Sequence, residues 1–341
     1  MTDFRTISGF EDVWRPPTRS RPVRPGSLLH PRQSPSEALR ARLARVVARV
    51  PEVMVKVTGR TRDGAHLRAH LDYISRNGQL ELEGVDGAML VGRHDVADLA
   101  QDWMSATQAD SRRRKDAPIS ISVVLSMPAG TNEVALRDAA RAFAADLFAG
   151  RHDYVFTLHT DTPRPHVHLS ICARGHTGER LNPKKADLEL WRQTFAQALR
   201  DRGIEAEATP RRARGVTRKA ERTPLQKMRE RHERGEAPIP RLRRSAYREA
   251  AGAAFQRDAE RRPWERRLLE RQRTVRGLYL AQAQLLARSP DPADRDLARK
   301  VEAFLRSMPQ PDTQRLAMAR ELRAAARSQA PDRAAGKSRT R

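Results

Sequence analysis

Cysteine is all but absent: Cys172 stands alone in 341 residues, so no intrachain disulfide can brace the fold. Its place at the end of an apolar strand reads as a small buried side chain rather than a nucleophile. Long hydrophobic runs are missing too. No apolar stretch reaches the roughly 18 residues a membrane helix needs, and the N-terminus has no apolar signal core, so a cytoplasmic protein is expected. Acidic residues are scarce for the number of bases, 42 Asp and Glu against 66 Lys and Arg, giving a net charge of +24 and a pI near 11.3. That imbalance argues for a polyanionic partner, nucleic acid first and an anionic membrane surface second.

The length suits one or two domains. Residues 1–50 read as a basic, largely disordered arm, rich in Arg, Pro and Ser, that ends in a short helix beginning near Ser36. Residues 51–206 alternate strand and helix signals: a strand at 53–57, a helix at 63–76 closed by Asn77-Gly78, a hairpin over 80–91 and a helix from 95. A central apolar strand follows at 119–127, then a helix at 132–148, a second hairpin, and a helix at 184–202 stopped by Gly203. The sum is an α+β domain, a small antiparallel sheet backed by helices. Residues 207–245 form a basic, Pro-interrupted linker, 246–328 return to helical period as a small bundle, and 329–341 are a basic tail.

The chemistry concentrates in His159-Thr-Asp161-Thr-Pro-Arg164-Pro-His166-Val-His168. Strand alternation puts Val167, Leu169 and Ile171 on one face and His166, His168 and Ser170 on the other. If the two strands pair as a hairpin across the proline-bearing loop, His159 faces the two-histidine side, with Asp161 near. A His-x-His pair alone is as easily a solvated strand face. The third imidazole and the carboxylate tip the balance toward a divalent metal site with positions left open for a substrate oxygen. His30, His94, His152, His176 and His232 have no such partner spacing.

A metal beside a basic surface suits phosphoryl chemistry on nucleic acid, which needs a nucleophile. Among the four tyrosines, Tyr73 shares a helix face with His66 and His70, just before the glycine stop. A phenol is only about 0.1% ionised near neutrality, so it requires a base or a nearby positive charge. His70, Asp161 and the metal each meet that need.

Three stretches, in order, resemble the motifs of one family, the DNA relaxases of conjugative and mobilisable plasmids. These are HUH (His-hydrophobic-His) endonucleases, and the similarity is to the class of the tumour-inducing-plasmid border-nicking relaxase. His70-Leu-Asp-Tyr73-Ile-Ser-Arg76-Asn-Gly78 resembles the first motif, Leu125-Ser126-Met-Pro-Ala-Gly130 the second, and the histidine stretch the third. The likeness extends over about residues 51–215, and the segment after 246 falls outside it.

The resemblance implies an HUH-type antiparallel sheet flanked by helices, with Tyr73 attacking a backbone phosphate of single-stranded or melted DNA at a transfer origin. His159, His166 and His168 would hold Mg²⁺ or Mn²⁺, and Asp161 would either orient a histidine or take the tyrosine proton. The product would be a 5′-phosphotyrosyl adduct that pilots the strand in conjugative transfer. Ser126 is implied as a DNA contact, and Arg76, Arg164 and Arg174 are further candidate phosphate contacts. Relaxosome accessory proteins and a type IV secretion coupling protein are the implied partners, and the basic tail is a candidate export address. The competing readings are an HUH rolling-circle replication initiator, a single-strand transposase, metal-dependent hydrolysis by activated water, and a non-catalytic nucleic-acid binder of the same fold.

Overall fold

The protein is described from a computed structural model, which covers residues 4–14, 35–111, 113–114, 116–218, 221, 223–255 and 262–328. The Arg/Pro-rich part of the expected arm, His30 and the basic tail lie outside the described residues. Two compact units emerge, one from residues 16–209 and one joining 1–15 to 210–341.

The first unit runs α1 (Pro35–Val47), β1 (Met54–Thr61), α2 (Gly64–Ile74), β2 (Leu82–Gly84), β3 (Met89–Leu90), α3 (Gly92–Gln108), β4 (Ser120–Ser126), α4 (Glu133–Phe148), β5 (Tyr154–His159), β6 (His166–Cys172) and α5 (Lys185–Arg200). Its six strands form one sheet in the order β1-β4-β6-β5-β2-β3, every pairing antiparallel. The α+β expectation, an antiparallel sheet flanked by helices, is what the chain builds.

The alternation of β4, β5 and β6 gives the sheet two unlike faces. Ile121, Val123, Leu125, Phe156, Val167, Leu169 and Ile171 form the main core with Phe143 and Phe148 of α4 and Trp191 and Phe195 of α5. Phe143 and Phe195 meet edge-on at 5.8 Å, as do Phe148 and Trp191 at 5.4 Å. A second cluster sets Leu67, Leu71 and Ile74 of α2 and Trp103 of α3 against Val155 and Cys172. Cys172 is the buried small side chain expected of it, its thiol pushed up to about 11 chiefly by burial.

Helix α2 is set at both ends. The Asp63 carboxylate caps it, accepting from the His66 N–H at 2.8 Å, and the buried residues Leu67, Leu71 and Ile74 recur at i, i+4 and i+7. Arg76, Asn77 and Gly78 then take successive positive φ values of 52°, 58° and 80°. At Gly78 a Cβ would stand 2.6 Å from the Arg93 nitrogen and the Gly92 carbonyl carbon, so only glycine fits.

The second unit contains α6 (Thr223–Glu233), α7 (Arg241–Phe255), α8 (Pro263–Ala287), α9 (Pro292–Ser307) and α10 (Gln314–Ser328). Two expectations change here. Residues 207–245, read as a linker, carry a 3-10 turn at Arg211–Arg214, α6 and the start of α7. The start of the expected disordered arm is folded as well: Phe10 and Trp14 are buried against Tyr279, whose hydroxyl accepts from the Trp14 indole at 3.3 Å. Four apolar side chains, Phe4, Phe10, Val13 and Trp14, supply the buried surface that the neighbouring Arg/Pro composition masks. Among the described residues no helix is long and apolar enough to cross a membrane.

Phe195 is fully buried between the sheet and α4. Truncating it in Phe195→Ala is expected to cost about 3–5 kcal/mol, read as a fall in the urea midpoint of the first unit; a loss below about 1 kcal/mol would show that this core is not the one that holds the sheet.

Candidate active site

The register of β5 on β6 pairs His159 with His166 and Thr157 with His168, as the hairpin expectation requires. The three imidazoles converge, with ring centroids 4.5 Å apart for His159 and His168, 5.1 Å for His166 and His168, and 5.4 Å for His159 and His166. One nitrogen of each lies within 4.8 Å of the other two.

Two of the rings are fixed by backbone carbonyls. His166 Nδ1 donates to the Arg164 carbonyl at 3.1 Å, which leaves Nε2 as an acceptor. His159 Nε2 donates to the Ile74 carbonyl at 2.7 Å, which leaves the Nδ1 lone pair to accept from the Arg76 guanidinium at 3.2 Å until a stronger Lewis acid takes it. His168 Nε2 is buried and has no hydrogen-bond partner among the described residues. An orphaned nitrogen of this kind costs about 1–3 kcal/mol unless something ligates it. All three observations fit a divalent ion: neutral donors, rings oriented from behind, and one buried nitrogen with nothing else to bind.

Electrostatics favour the neutral state that ligation needs. Burial first, then the charges of His159, His166, His70 and Arg76, push His168 down to about 3. His159 is lowered too, chiefly by burial, with Arg76 and His166 adding to the effect.

Tyr73 reaches the same place from α2. Its ring lies 5.7 Å from His168 and 6.4 Å from His159, edge-on to both, and it is 56% exposed, so its hydroxyl is open to a substrate. The Arg76 guanidinium sits 5.3 Å over that ring and forms an ion pair with Asp161. Asp161 is therefore engaged with Arg76 rather than with the phenol. His70, one turn before Tyr73, shares a 2.9 Å hydrogen bond with Ser122 and is lowered by burial and by His66.

The remaining candidates divide. Ser126 lies opposite His166 in the β4–β6 register but is 6% exposed, its hydroxyl directed at the Met127 and Pro165 carbonyls at 3.4 Å. Arg164 is exposed in the hairpin loop, and its carbonyl, not its charge, holds His166. Arg174 is not brought to the site. It follows the far end of β6, roughly 20 Å of strand from His166, and lies 4.0 Å from Asp110, which also pairs with Arg180.

Ser122 and the Ile74 carbonyl were not anticipated. Ser122 had a signal, since Ser120, Ser122 and Ser126 interrupt the apolar run of β4 with strand period on the histidine face. The carbonyl had none.

A single Mn²⁺ per chain is expected by calorimetry, together with a rise in thermal midpoint that His168→Gln removes. For pH the sign follows from burial. The unfolded chain protonates His168 near the ordinary 6.5 while the folded state resists to about 3. This site's contribution is thus intact above about pH 6.5 and is lost as pH falls toward 3. In the absence of metal, His168→Gln is expected to flatten that part of the stability–pH curve; an unchanged curve would refute the burial argument.

Residues 73–204 match the relaxase family described as MobA/VirD2-like, nuclease domain. Among curated proteins the chain is 28% identical over 185 residues to the T-DNA border endonuclease VirD2 of Rhizobium radiobacter, covering 48% of this chain and 43% of the relative. It is also 28% identical over 192 residues to VirD2 of Agrobacterium fabrum (strain C58 / ATCC 33970), covering 49% and 41%. The chain thus spans less than half the length of the curated relatives it matches. Among solved structures, the MobM relaxase domain (MOBV; Mob_Pre) bound to a 26-nucleotide pMV158 oriT DNA aligns with 50% of this chain and 96% of its own. The identity is 13% and the TM-score 0.37, a superposition too loose to argue from. On the sequence match, residues 73–204 are similar to the nuclease domain of MobA/VirD2-like relaxases.

Proposed function

We propose that this protein is a site- and strand-specific DNA relaxase that nicks a transfer origin through Tyr73. The observation that carries the reading is the placement of an exposed phenol 5.7 Å, ring to ring, from the buried imidazole of a three-histidine cluster inside a domain of relaxase class. Tyr73, open to solvent, gives up its proton, and Oη attacks the scissile phosphorus. The bond to the 3′-oxygen breaks, that oxygen leaves and takes a proton, and the 5′-phosphate remains on the tyrosine. One phosphodiester is exchanged for another, so religation by the 3′-hydroxyl needs no external energy source.

His159, His166 and His168 would hold the divalent ion, which when bound neutralises charge on the phosphate and polarises a non-bridging oxygen. A set of three nitrogen donors favours Mn²⁺ over the more strictly oxygen-seeking Mg²⁺. Asp161 acts through Arg76, holding the guanidinium over the Tyr73 ring where an incoming phosphate needs a counter-charge. Origin DNA, single-stranded or melted, is the substrate of this reading. Relaxosome accessory proteins and a secretion coupling protein are the partners it calls for, and the protein works in the cytoplasm before export with its strand.

Incubation with Mn²⁺ and oligonucleotides from the DNA flanking the gene is expected to yield an SDS-resistant protein–DNA band carrying the 5′ phosphate. Tyr73→Phe is expected to abolish the band while retaining oligonucleotide binding. Cleavage without a covalent species would instead mean attack by water, and an adduct surviving in Tyr73→Phe would remove Tyr73 as the nucleophile.

A further inference from the structure

The second unit lies outside the family match, yet its arginines are not distributed as ordinary solvated charge. On α9 and α10 they are used internally. Arg299 and Lys300 share Asp296, Arg306 faces Glu302, Arg315 pairs with the buried Glu265, and Arg320 pairs with Asp312. Arg295 and Arg323 donate to backbone carbonyls, leaving Arg327 as the exception among the described residues of these two helices.

Helix α7 and the first half of α8 show the opposite. Arg241, Arg244 and Arg248 are exposed at i, i+3 and i+7, on the side of α7 away from the buried Ala250 and Ala253, and none has an acidic partner among the described residues. The same holds for Arg266, Arg267, Arg271 and Arg273 on α8. A 2.7 Å ion pair joins Arg262, at the head of α8, to Glu249 of α7. Large apolar side chains that ought to be buried stand among these charges: Phe255 is 61% exposed, Trp264 48% and Tyr247 38%, with the Arg243 guanidinium 5.7 Å over the Tyr247 ring.

Unpaired guanidinium groups interleaved with exposed aromatic rings have one well-matched ligand chemistry. The charges track a phosphate backbone, and the rings stack on bases that have no partner strand. Duplex DNA offers phosphates but encloses its base faces. We infer that the α7–α8 face is a sequence-independent binding surface for single-stranded nucleic acid. It is separate from the Tyr73 site and needs no metal. It would hold DNA whichever sequence is cut.

The test uses the full-length protein in EDTA with labelled oligo-dT, which carries no nick sequence. Its outcome therefore does not depend on whether the relaxase reading is right. Tryptophan emission reports the surface directly, because Trp14, Trp103 and Trp191 are buried at 3–4% exposure while Trp264 is open. Oligo-dT is expected to quench the Trp264 emission, and Trp264→Phe to lose the quench but keep the affinity. Trp264→Ala should weaken binding roughly five- to a hundredfold. The triple variant Arg241→Gln, Arg244→Gln, Arg248→Gln should make the log K against log salt slope shallower by about 2. All of these positions are exposed, so unchanged circular dichroism is expected throughout. The assignment is overturned if saturating oligo-dT leaves the emission unchanged, or if duplex DNA competes as well as single strands. It is equally overturned if phosphatidylserine vesicles shift the emission while oligo-dT does not, since that result would make the face a lipid-binding one.

Discussion

The two halves of the candidate active site meet at a backbone acceptor: His159 Nε2 donates to the Ile74 carbonyl at 2.7 Å, beside the links of Arg76 to His159 and Asp161. The acceptor belongs to the last turn of α2, where carbonyls lose their helical partners and need another donor. The residue before it is Tyr73. Satisfying that carbonyl therefore holds the Tyr73 helix against the imidazole strand and sets the His159 tautomer at once. The side chain of Ile74 is fully buried below, so the helix end is anchored by packing on one side and by the imidazole on the other. The run of positive φ at Arg76, Asn77 and Gly78 follows directly and turns the Arg76 guanidinium back over the phenol.

The sheet separates stability from chemistry by alternation alone. On β6, Val167, Leu169 and Ile171 enter the main core while His166 and His168 face the other way, so the histidines cost the core nothing. The antiparallel neighbours complete both faces, since β4 contributes Ile121, Val123 and Leu125 to one and Ser122 and Ser126 to the other. A one-residue slip of β5 on β6 would send His159 into the hydrophobic layer and leave two imidazoles where three are needed. Register is thus as much a functional constraint as any single side chain.

The parts of this arrangement that follow a short period were legible in the sequence: the alternation of His166-Val-His168, the α2 stripe with Tyr73 beside it, and the glycine stop. The hairpin pairing of His159 with His166 could be posed from the proline-bearing loop and is observed. What stayed hidden depends on tertiary contact with backbone groups or on direction along a strand. The carbonyls of Ile74 and Arg164 that orient two imidazoles carry no side-chain signature. Asp161 was open to two roles in the sequence, orienting a histidine or taking the tyrosine proton, and the Arg76 partner it has in space could not be read there. Arg174, chosen from its charge, lies past the far end of β6 and 4.0 Å from Asp110, a direction its position in the sequence does not show. Residues 4–14 were hidden by averaging, because a few aromatics next to an Arg/Pro-rich stretch do not register in its composition yet suffice to dock on Tyr279.

The charge balance of the chain bears on how such a site fills. A net charge of +24 opposes a dication as surely as it attracts a polyanion. Screening limits that opposition to groups within about 8 Å at physiological salt, and within that range the trio meets Arg76. His159 and His168 add no charge, since burial favours their neutral forms. A phosphate entering beside Tyr73 reverses the local sign, gives Arg76 an anionic partner other than Asp161, and makes the cluster a better place for a cation. In the proposed reaction, binding of the ion and of the strand would therefore be linked, each raising the affinity for the other by the same factor. A carboxylate-lined site would hold its ion without DNA. His159 and His168, held neutral by burial, bring no counter-charge of their own, so in the proposed reaction the ion would bind more tightly once the strand is in place.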